Sequence, residues 1–436
     1  MAFLGLRKIS PARLILTVLG LILLSQNFRT LAQTPQATEL PGQPFVIKKT
    51  WTIGGEGNWD YLTLDPVALQ LYIAHGPVVQ VVDVNAGTVA GEIGGMRDAH
   101  GIALDNNGQY GYVSDGPANA VRVFDRETLE VVASIPTGKN PRAIVFEPAS
   151  RLVFVVCPAT AEESTVPRRA SNGQRIVTSS DPLVKSTVTV IDADTQKALA
   201  DLMLPGKLGF AQTDGKGTVY VNITDRNQIA HFNAQGFKSQ LRKLAKGVAP
   251  DGTKSLESKS TKPEGSSNAT VTIDWSDAAL DVQPIPKALQ VFRLGHDCST
   301  PRGLAIDSAN LRLFTACDNM TMQVLNSTNG QLVATLPIGA GTDAIGFDPT
   351  RGLIYASNGG GVGSLTIIRQ HLTDSYAVIQ ELPTRARART LAVNPVSGEV
   401  YLVTNVTGFD LTHNGGIGGL KTAPVIGSFQ VLVVGN

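Results

Sequence analysis

Short apolar runs alternate with polar turns along most of the chain, and the arrangement recurs at a spacing of roughly forty residues. Each unit has an apolar run, a turn rich in Asp, Asn, Pro or Gly, and a second apolar run with an aromatic residue or leucine. This pattern predicts a β-hairpin with a loop of several residues. Seven such segments begin at Trp59, Ala99, Pro141, Leu208, Pro301, Thr342 and Ala388.

Most of these hairpins continue into two further apolar runs, such as NAVRVFDRETL from Asn119 and then EVVASIPTG from Glu130. Four antiparallel strands per unit at this spacing are typical of propeller blades. We therefore predict an all-β fold, a single seven-bladed β-propeller of four-stranded antiparallel blades.

The two ends of the chain complement each other. The last apolar run, SFQVLVV from Ser428, matches a third strand, so the last blade lacks its fourth. The segment FVIKKTWTIG from Phe45 resembles a fourth strand and precedes the first repeat. We predict that this N-terminal strand completes the last blade, which closes the ring and covers an exposed edge.

The N-terminus predicts export. Three basic residues precede the short apolar run Leu14–Leu24, and small residues follow up to Ala32. This pattern indicates a signal peptide at 1–32, cleaved near Ala32, with no membrane span afterwards. Retention as an uncleaved anchor is the alternative. The predicted domains are then a flexible segment at 33–44 and the propeller at 45–436, in a periplasmic or secreted protein.

Three long insertions, at about 158–185, 237–287 and 406–427, are predicted to be loops. Basic clusters begin at Pro167 and Lys238 within them, but few aromatic residues lie nearby. Solvated loops are therefore favoured over a nucleic-acid groove. The net charge of +1, with 17% charged residues, also shows no general bias toward nucleic acid or membrane.

The repeat units, with VYLVTN and VYVNITD as second strands, resemble the YVTN/YncE-like family of seven-bladed propellers. The resemblance covers nearly the whole chain after the N-terminal segment. It implies an exported propeller and no single shared activity. Function has to be argued from a site.

Aligning the hairpins places one residue per blade just before each inner apolar run. Inner strands of a propeller begin at one mouth of the central channel, so these side chains are predicted to converge there, as ligand-binding groups often do. The column reads Asp60, His100, Arg142, Gly209, Arg302, Asp343 and Arg389.

Three interpretations of this mouth remain open. The alternating charges could pair into a salt-bridged plug. They could bind an anionic small molecule or protein partner, since three arginines favour carboxylate or phosphate groups. They could also catalyse a reaction, with His100 as general base oriented by Asp60, as in a lactonase-like hydrolase.

Other motifs support no further chemistry. The sequence has no CxxC, no GxSxG and no phosphate loop before a helix. Four histidines (His75, His100, His296 and His413) fall on the predicted mouth face without the close spacing of metal ligands. We therefore expect no cofactor or metal, and a monomeric, non-catalytic binding or scaffold module; the hydrolase is the alternative.

The three cysteines test the alignment. Cys157 and Cys317 end second strands of different blades, too far apart for a bridge. Cys298 lies just before the inner strand of one predicted hairpin, and Cys317 lies at the end of the second strand of the same hairpin. Antiparallel pairing brings these two ends together. We therefore predict a Cys298–Cys317 disulfide and a free Cys157.

Overall fold

The computed structural model describes residues 43–159, 184–245, 271–274, 289–372, 374–409 and 422–436. Within these residues, seven antiparallel sheets of four principal strands follow one another along the chain. The predicted all-β seven-bladed propeller is therefore confirmed. The signal peptide, the central parts of the three insertions and His413 lie outside the described residues.

Six blades use strands that are consecutive in their repeat unit, apart from the insertions. Blade 1 consists of β2 (Trp59–Asp65), β3 (Gln70–His75), β4 (Val78–Asp83) and β5 (Thr88–Ile93). Blade 2 consists of β6 (Ala99–Leu104), β7 (Tyr110–Asp115), β8 (Ala120–Asp125) and β9 (Val131–Pro136). Blade 3 consists of β10 (Ile144–Glu147), β11 (Leu152–Cys157), β12 (Lys185–Asp192) and β13 (Lys197–Pro205).

Blades 4 to 6 follow the same order. Blade 4 consists of β14 (Leu208–Thr213), β15 (Thr218–Ile223), β16 (Gln228–Asn233) and β18 (Leu289–Arg293). Blade 5 consists of β19 (Pro301–Asp307), β20 (Arg312–Cys317), β21 (Thr321–Asn326) and β22 (Leu332–Pro337). Blade 6 consists of β23 (Thr342–Asp348), β24 (Leu353–Asn358), β25 (Ser364–Leu372) and β26 (Ser375–Pro383).

Blade 7 joins both ends of the chain. Its sheet order is β27 (Leu391–Val393), β28 (Val400–Thr404), β31 (Gln430–Gly435) and β1 (Val46–Thr52). The N-terminal strand pairs antiparallel with the C-terminal one, so the predicted ring closure is confirmed. Phe45 extends the closure to blade 6, where the Gln380 side chain donates to its carbonyl and accepts from its N–H, both at 2.8 Å.

The hydrophobic core lies between blades. Each apolar cluster of the described residues draws its members from two neighbouring blades. Tyr72 of blade 1 packs on Phe124 of blade 2, with ring centroids 5.7 Å apart. Phe154 and Phe232 repeat this contact between blades 3 and 4, at 5.4 Å. One blade cannot bury both faces alone, so stacking around an axis is what stabilises the repeat.

The second insertion departs from the prediction of a loop. Its first residues form a helix, α1 (Phe237–Ala245), and the short strand β17 (Val271–Asp274) pairs in parallel with the outer strand of blade 3. Phe237 and Leu241, four residues apart, are buried in the core between blades 3 and 4. The basic cluster from Lys238 was therefore wrongly predicted as a solvated loop, because its i, i+4 apolar pair was overlooked.

Two short strands also occur in the third insertion. They are β29 (Thr407–Phe409) and β30 (Thr422–Pro424), which pair antiparallel. No helix in the described parts of the chain is long and apolar enough to cross a membrane.

Candidate functional site

A β-bulge gives the inner strands their channel-facing side chains. In blades 1, 2, 4, 5 and 6 the inner strand carries one more residue than its partner across the predicted column position. In blade 1, for example, Trp59 pairs with His75 and Leu62 with Ile73, which leaves Asp60 and Tyr61 in the bulge. Bulges redirect side chains. The repeated bulge therefore turns polar residues toward the axis.

Asp60 and His100 form the most closely packed polar pair of the mouth. His100 Nδ1 lies 2.8 Å from Asp60 Oδ2, and the His100 side chain is only 7% exposed. Its Nε2 atom lies 3.7 Å from Asp98 and faces Gly116, where an added Cβ would approach it to 2.7 Å. Arg142 reaches the same Asp60 oxygen only at 3.9 Å. The histidine is therefore enclosed, while the arginine is weakly engaged.

Arg302 forms a two-point pair that the sequence did not reveal. Its Nε and Nη2 atoms each donate to Asp318 at 2.9 Å. Asp318 follows the end of the second strand of the same blade, one residue beyond the column used for the prediction. This contact with Asp318 raises the pKa of Arg302, with smaller contributions from Asp343 and Tyr61. Arg302 is therefore a fixed cation beside the axis.

Arg389 pairs with Asp343, with Nε to Oδ2 at 3.0 Å. Burial raises the pKa of Asp343 above its ordinary value, although the Arg389 and Arg302 cations lower it. Asp60 raises it further. The carboxyl at this point therefore experiences a desolvated environment that its arginine partners do not fully offset.

Two aromatic rings meet near these charges. Tyr61 of blade 1 meets Phe210 of blade 4 edge to face, with centroids 5.0 Å apart. Each ring belongs to the residue that follows a column position, and Phe210 follows Gly209, the column member without a side chain. Because the two blades are not neighbours in the ring, this contact spans the bore and gives the mouth an aromatic floor.

Tyr61 also shows that the predicted column converges. Burial raises its pKa well above the ordinary value, and the Asp60 and Asp343 carboxylates raise it further. Arg142 and Arg389 oppose this shift. Side chains from blades 1, 3, 6 and 7 thus act on one phenol, so the structure brings the predicted residues together around the axis.

Buried polar side chains fix the backbone of the three arginines. Ser114 donates to the carbonyl of Arg142 at 2.5 Å, and Ser357 donates to that of Arg389 at 2.5 Å. In the same way Asn222 donates to the Arg302 carbonyl at 2.7 Å. Each donor sits on the second strand of the preceding blade and is fully buried. The arginine positions are therefore set by the packing of neighbouring blades.

Arg387 is a mouth residue that the column did not include. Its guanidinium lies over the Trp59 ring, 4.5 Å from the centroid. Burial and the nearby Arg389 lower its pKa. The alternating segment TRARART from Thr384 could have suggested an arginine cluster, but its stacking on a different blade depends on the three-dimensional path of the loop.

The histidines placed on the mouth face by the sequence differ in their surroundings. His75 is buried, 2.9 Å from Gln80 through Nδ1 and 4.0 Å from the Phe429 ring. Burial lowers its pKa. His296 is exposed in the loop after β18. Across the described residues, no group of three or more His, Cys, Asp or Glu side chains could hold a metal ion.

The predicted disulfide is present. Cys298 is bonded to Cys317, with Cα atoms 5.3 Å apart, which ties the loop before blade 5 to the end of its second strand. Cys157 is a free, buried thiol, and burial raises its pKa to about 12. A thiol of such a pKa is poorly ionised and is not a candidate nucleophile.

Chemically, the mouth offers hydrogen-bond donors near the Tyr61–Phe210 ring pair. The side chains of Arg142, Arg302 and Arg389 are 48%, 44% and 44% exposed. Each is paired with an aspartate through only part of its guanidinium, or over a long distance. The remaining N–H groups donate to no described group, so planar anions can reach them.

Comparisons with known proteins agree with this architecture. Residues 73–191 match the family model described as "Lactonase, 7-bladed beta-propeller". The matched stretch runs from the second strand of blade 1 to the third strand of blade 3, so it includes His100 and Arg142 but not Asp60. The chain is therefore similar to that family over about a quarter of its length. No curated protein matched the chain.

Solved structures with a similar fold include three propellers of low sequence identity. "Structure of U3-55K" has a TM-score of 0.56 and 7% identity, covering 88% of this chain and 97% of that one. "Crystal structure of RRP9 WD40 repeats" has a TM-score of 0.56 and 8% identity, covering 91% and 99%. "Crystal Structure of Mitotic Checkpoint Complex" has a TM-score of 0.55 and 12% identity, covering 86% of this chain and 95% of that one. At these identities the similarity concerns the fold alone.

Proposed function

We propose that this chain is an exported, non-catalytic binding module whose channel mouth takes carboxylate groups of a protein or small-molecule partner. The observation that carries the proposal is the set of three half-exposed arginines, Arg142, Arg302 and Arg389, around one aromatic floor. Arginine recognises carboxylates through two parallel N–H donors, and it is enriched at the centres of protein interfaces.

The aspartates of the mouth fit this role as positioning groups. Asp318 and Asp343 each hold one side of an arginine and so orient the opposite side outward. A ligand carboxylate would then complete the coordination of guanidiniums that are already ordered, which reduces the entropy lost on binding. A closed plug would instead bury the arginine side chains, whereas nearly half of each is exposed.

Export is supported by the basic and apolar N-terminal sequence and by the disulfide. Structural disulfides form and persist in oxidising compartments. Two of the structural neighbours are the WD40 repeats of RRP9 and a mitotic checkpoint complex, and such an assembly illustrates that this fold can serve protein binding. A protein partner is therefore one form that the carboxylate ligand takes in this proposal.

A thermal-shift screen tests the proposal. The wild-type protein and the R142Q/R302Q/R389Q variant are compared with a panel of mono-, di- and tricarboxylates at low ionic strength. We expect the wild type to be stabilised by some of them and the variant, still folded, to show no shift. A variant that loses its cooperative unfolding, with no carboxylate stabilising the wild type, would support a salt-bridged plug instead.

A hydrolase of lactones is the second candidate, favoured by the family match and by the hydrogen-bonded Asp60 and His100. With Nδ1 held by Asp60, His100 would use Nε2 as the base. A substrate would have to displace the residues around Gly116 that cover this nitrogen. Hydrolysis of a lactone panel by wild type but not by H100Q would establish this function, and no turnover by wild type would argue against it.

A further inference from the structure

A second basic cluster lies on the mouth face, away from the axis, between the outer parts of blades 4 and 5. It surrounds a surface depression of about 280 Å³. Three potential cations line this depression: Arg226 from the loop after β15, Arg293 at the end of β18, and His296 in the loop that leads to blade 5. None of them belongs to the column of channel residues.

In the described parts of the chain, no acidic side chain is in direct ion-pair contact with this cluster of Arg226, Arg293 and His296. Asp225 and Asp297 lie in the same loops, but neither lines the depression. Asp225 is engaged elsewhere, where it accepts the main-chain N–H of Lys207 at 2.8 Å. Like charges brought together without partners are unfavourable unless an anion offsets them.

The walls of the depression are held in place by specific bonds. Asn227 accepts from the main-chain N–H of Leu294 through its carbonyl, at 3.0 Å, and from that of Thr300 through its side chain, at 2.8 Å. The Gly295 N–H donates to the buried Gln323 side chain at 2.9 Å. Cys298, which also lines the depression, is covalently bound to Cys317. The Arg226, Arg293 and His296 side chains therefore project from an ordered frame.

The size of the depression limits its occupant. Pockets for drug-sized ligands begin at about 300 Å³, and this depression is slightly smaller. Guanidinium and imidazole groups donate hydrogen bonds from several directions. This suits a compact, multiply charged oxyanion better than an apolar ligand.

We propose that Arg226, Arg293 and His296 form a binding site for a phosphate-sized tetrahedral oxyanion, either free or as the terminal group of a small monoester. The site is independent of the channel mouth, since it uses other loops and other side chains. It does not depend on the carboxylate-binding role proposed for the mouth.

Isothermal titration calorimetry at low ionic strength tests the site, with inorganic phosphate and glycerol phosphate as the two probes. The wild type is compared with R226Q/R293Q, with the channel-mouth variant R302Q/R389Q, and with the control K49Q/K197Q, which changes two exposed lysines outside both sites. All three variants remove two positive charges, so they change the net charge equally. We expect R226Q/R293Q to weaken phosphate binding by at least about tenfold, because charge-assisted hydrogen bonds are lost, while K49Q/K197Q retains wild-type affinity.

The two probes distinguish free phosphate from a carried phosphate group. Tighter binding of inorganic phosphate would identify the free ion as the ligand, and tighter binding of glycerol phosphate would identify a monoester. Unchanged affinity in R226Q/R293Q, or no binding by the folded wild type at millimolar phosphate, would overturn the proposal. If only R302Q/R389Q lost binding, the oxyanion would belong to the channel mouth and the proposed site would be wrong.

Discussion

The two ends of the inner hairpins use polar residues in opposite ways. At the turn end, six of the seven hairpins carry a buried acid or amide at the last position of the inner strand or directly after it: Asp65, Asp105, Glu147, Asp307, Asp348 and Asn394. At the mouth end, the polar residues sit before or within the start of the same strands, and the arginines among them are half exposed.

The turn-end side chains accept hydrogen bonds from backbone N–H groups of their own turn. Asp307 Oδ1 accepts the N–H groups of Ala309 and Asn310, both at 3.1 Å. Asn394 does the same for Val396 and Ser397, at 3.0 and 3.2 Å. Such side-chain-to-backbone bonds define the turn.

The difference teaches how to assign charges in a repeat protein. Acceptors that face their own turn stabilise the fold, and they recur in every unit that needs the same turn. The mouth arginines are different. Their main-chain carbonyls accept hydrogen bonds from Ser114, Asn222 and Ser357, so the backbone is held in place while the guanidinium groups remain available. We infer that the turn end is built for stability and the mouth end for recognition.

Removing the N-terminal strand should have the largest effect on stability, because it disrupts the whole last blade and therefore both its turn end and its mouth end. A chain that starts at Gly55 lacks β1 and the contacts of Phe45 with Gln380. The edge of β31 would be exposed, so we expect aggregation or a large fall in Tm. Size-exclusion chromatography and calorimetry measure this, with a chain starting at Phe45 as the control. A monomer that melts near the control would contradict the closure.

The disulfide is the covalent contribution to the mouth end. The bridge closes a sequence separation of 19 residues, so C298S/C317S should lower the free energy of unfolding by about 3 kcal/mol in the chain-entropy model. Urea denaturation measures the loss. Peptide mapping without reduction provides the control, and a linked peptide containing Cys157 would show that the pairing is wrong.

The turn end should be sensitive to single changes. D307A leaves two backbone N–H groups without their acceptor, and such losses cost about 1–3 kcal/mol. D307N retains an acceptor oxygen and should lose less. Urea denaturation of both variants decides the matter. Equal stability of D307A and wild type would remove the basis for distinguishing the two ends.

Asp343 gives the mouth a small pH dependence. Its pKa is raised in the folded protein, mainly by burial, so the folded state binds this proton more tightly than the unfolded chain. The resulting stabilisation is present below the unfolded pKa, near about 4, and is lost as pH rises through the folded value. Relative to D343N, the wild type should therefore lose stability between acidic and neutral pH. A constant difference between the two would contradict the shift.

Sequence patterns predicted the repeat, the closure and the disulfide, because each depends on strand register. Cys298 and Cys317 follow directly from antiparallel pairing. The column also located Asp60, His100 and the three arginines near the axis. It took one residue per blade, however, whereas the bulge turns two inward, so Tyr61 and Phe210 were missed.

Other parts of the mouth depend on loop paths that no local pattern specifies. Arg387 stacks on Trp59 of another blade, far away in the sequence, so only the folded ring brings these two residues together. Asp318 reaches Arg302 within one hairpin, next to the paired Pro301 and Cys317, but it lies one residue beyond the aligned column.

The most direct test of the account is the free energy of unfolding of R142Q/R302Q/R389Q, measured in urea beside the wild type. Exposed ion pairs contribute about 0–1 kcal/mol each, and two of the three are engaged on one side only. If the mouth is built for recognition, the variant should lose at most about 3 kcal/mol, the upper sum for three exposed pairs. A loss of about 6 kcal/mol or more, comparable to breaking at least two buried charge pairs, would show that the mouth is a structural plug.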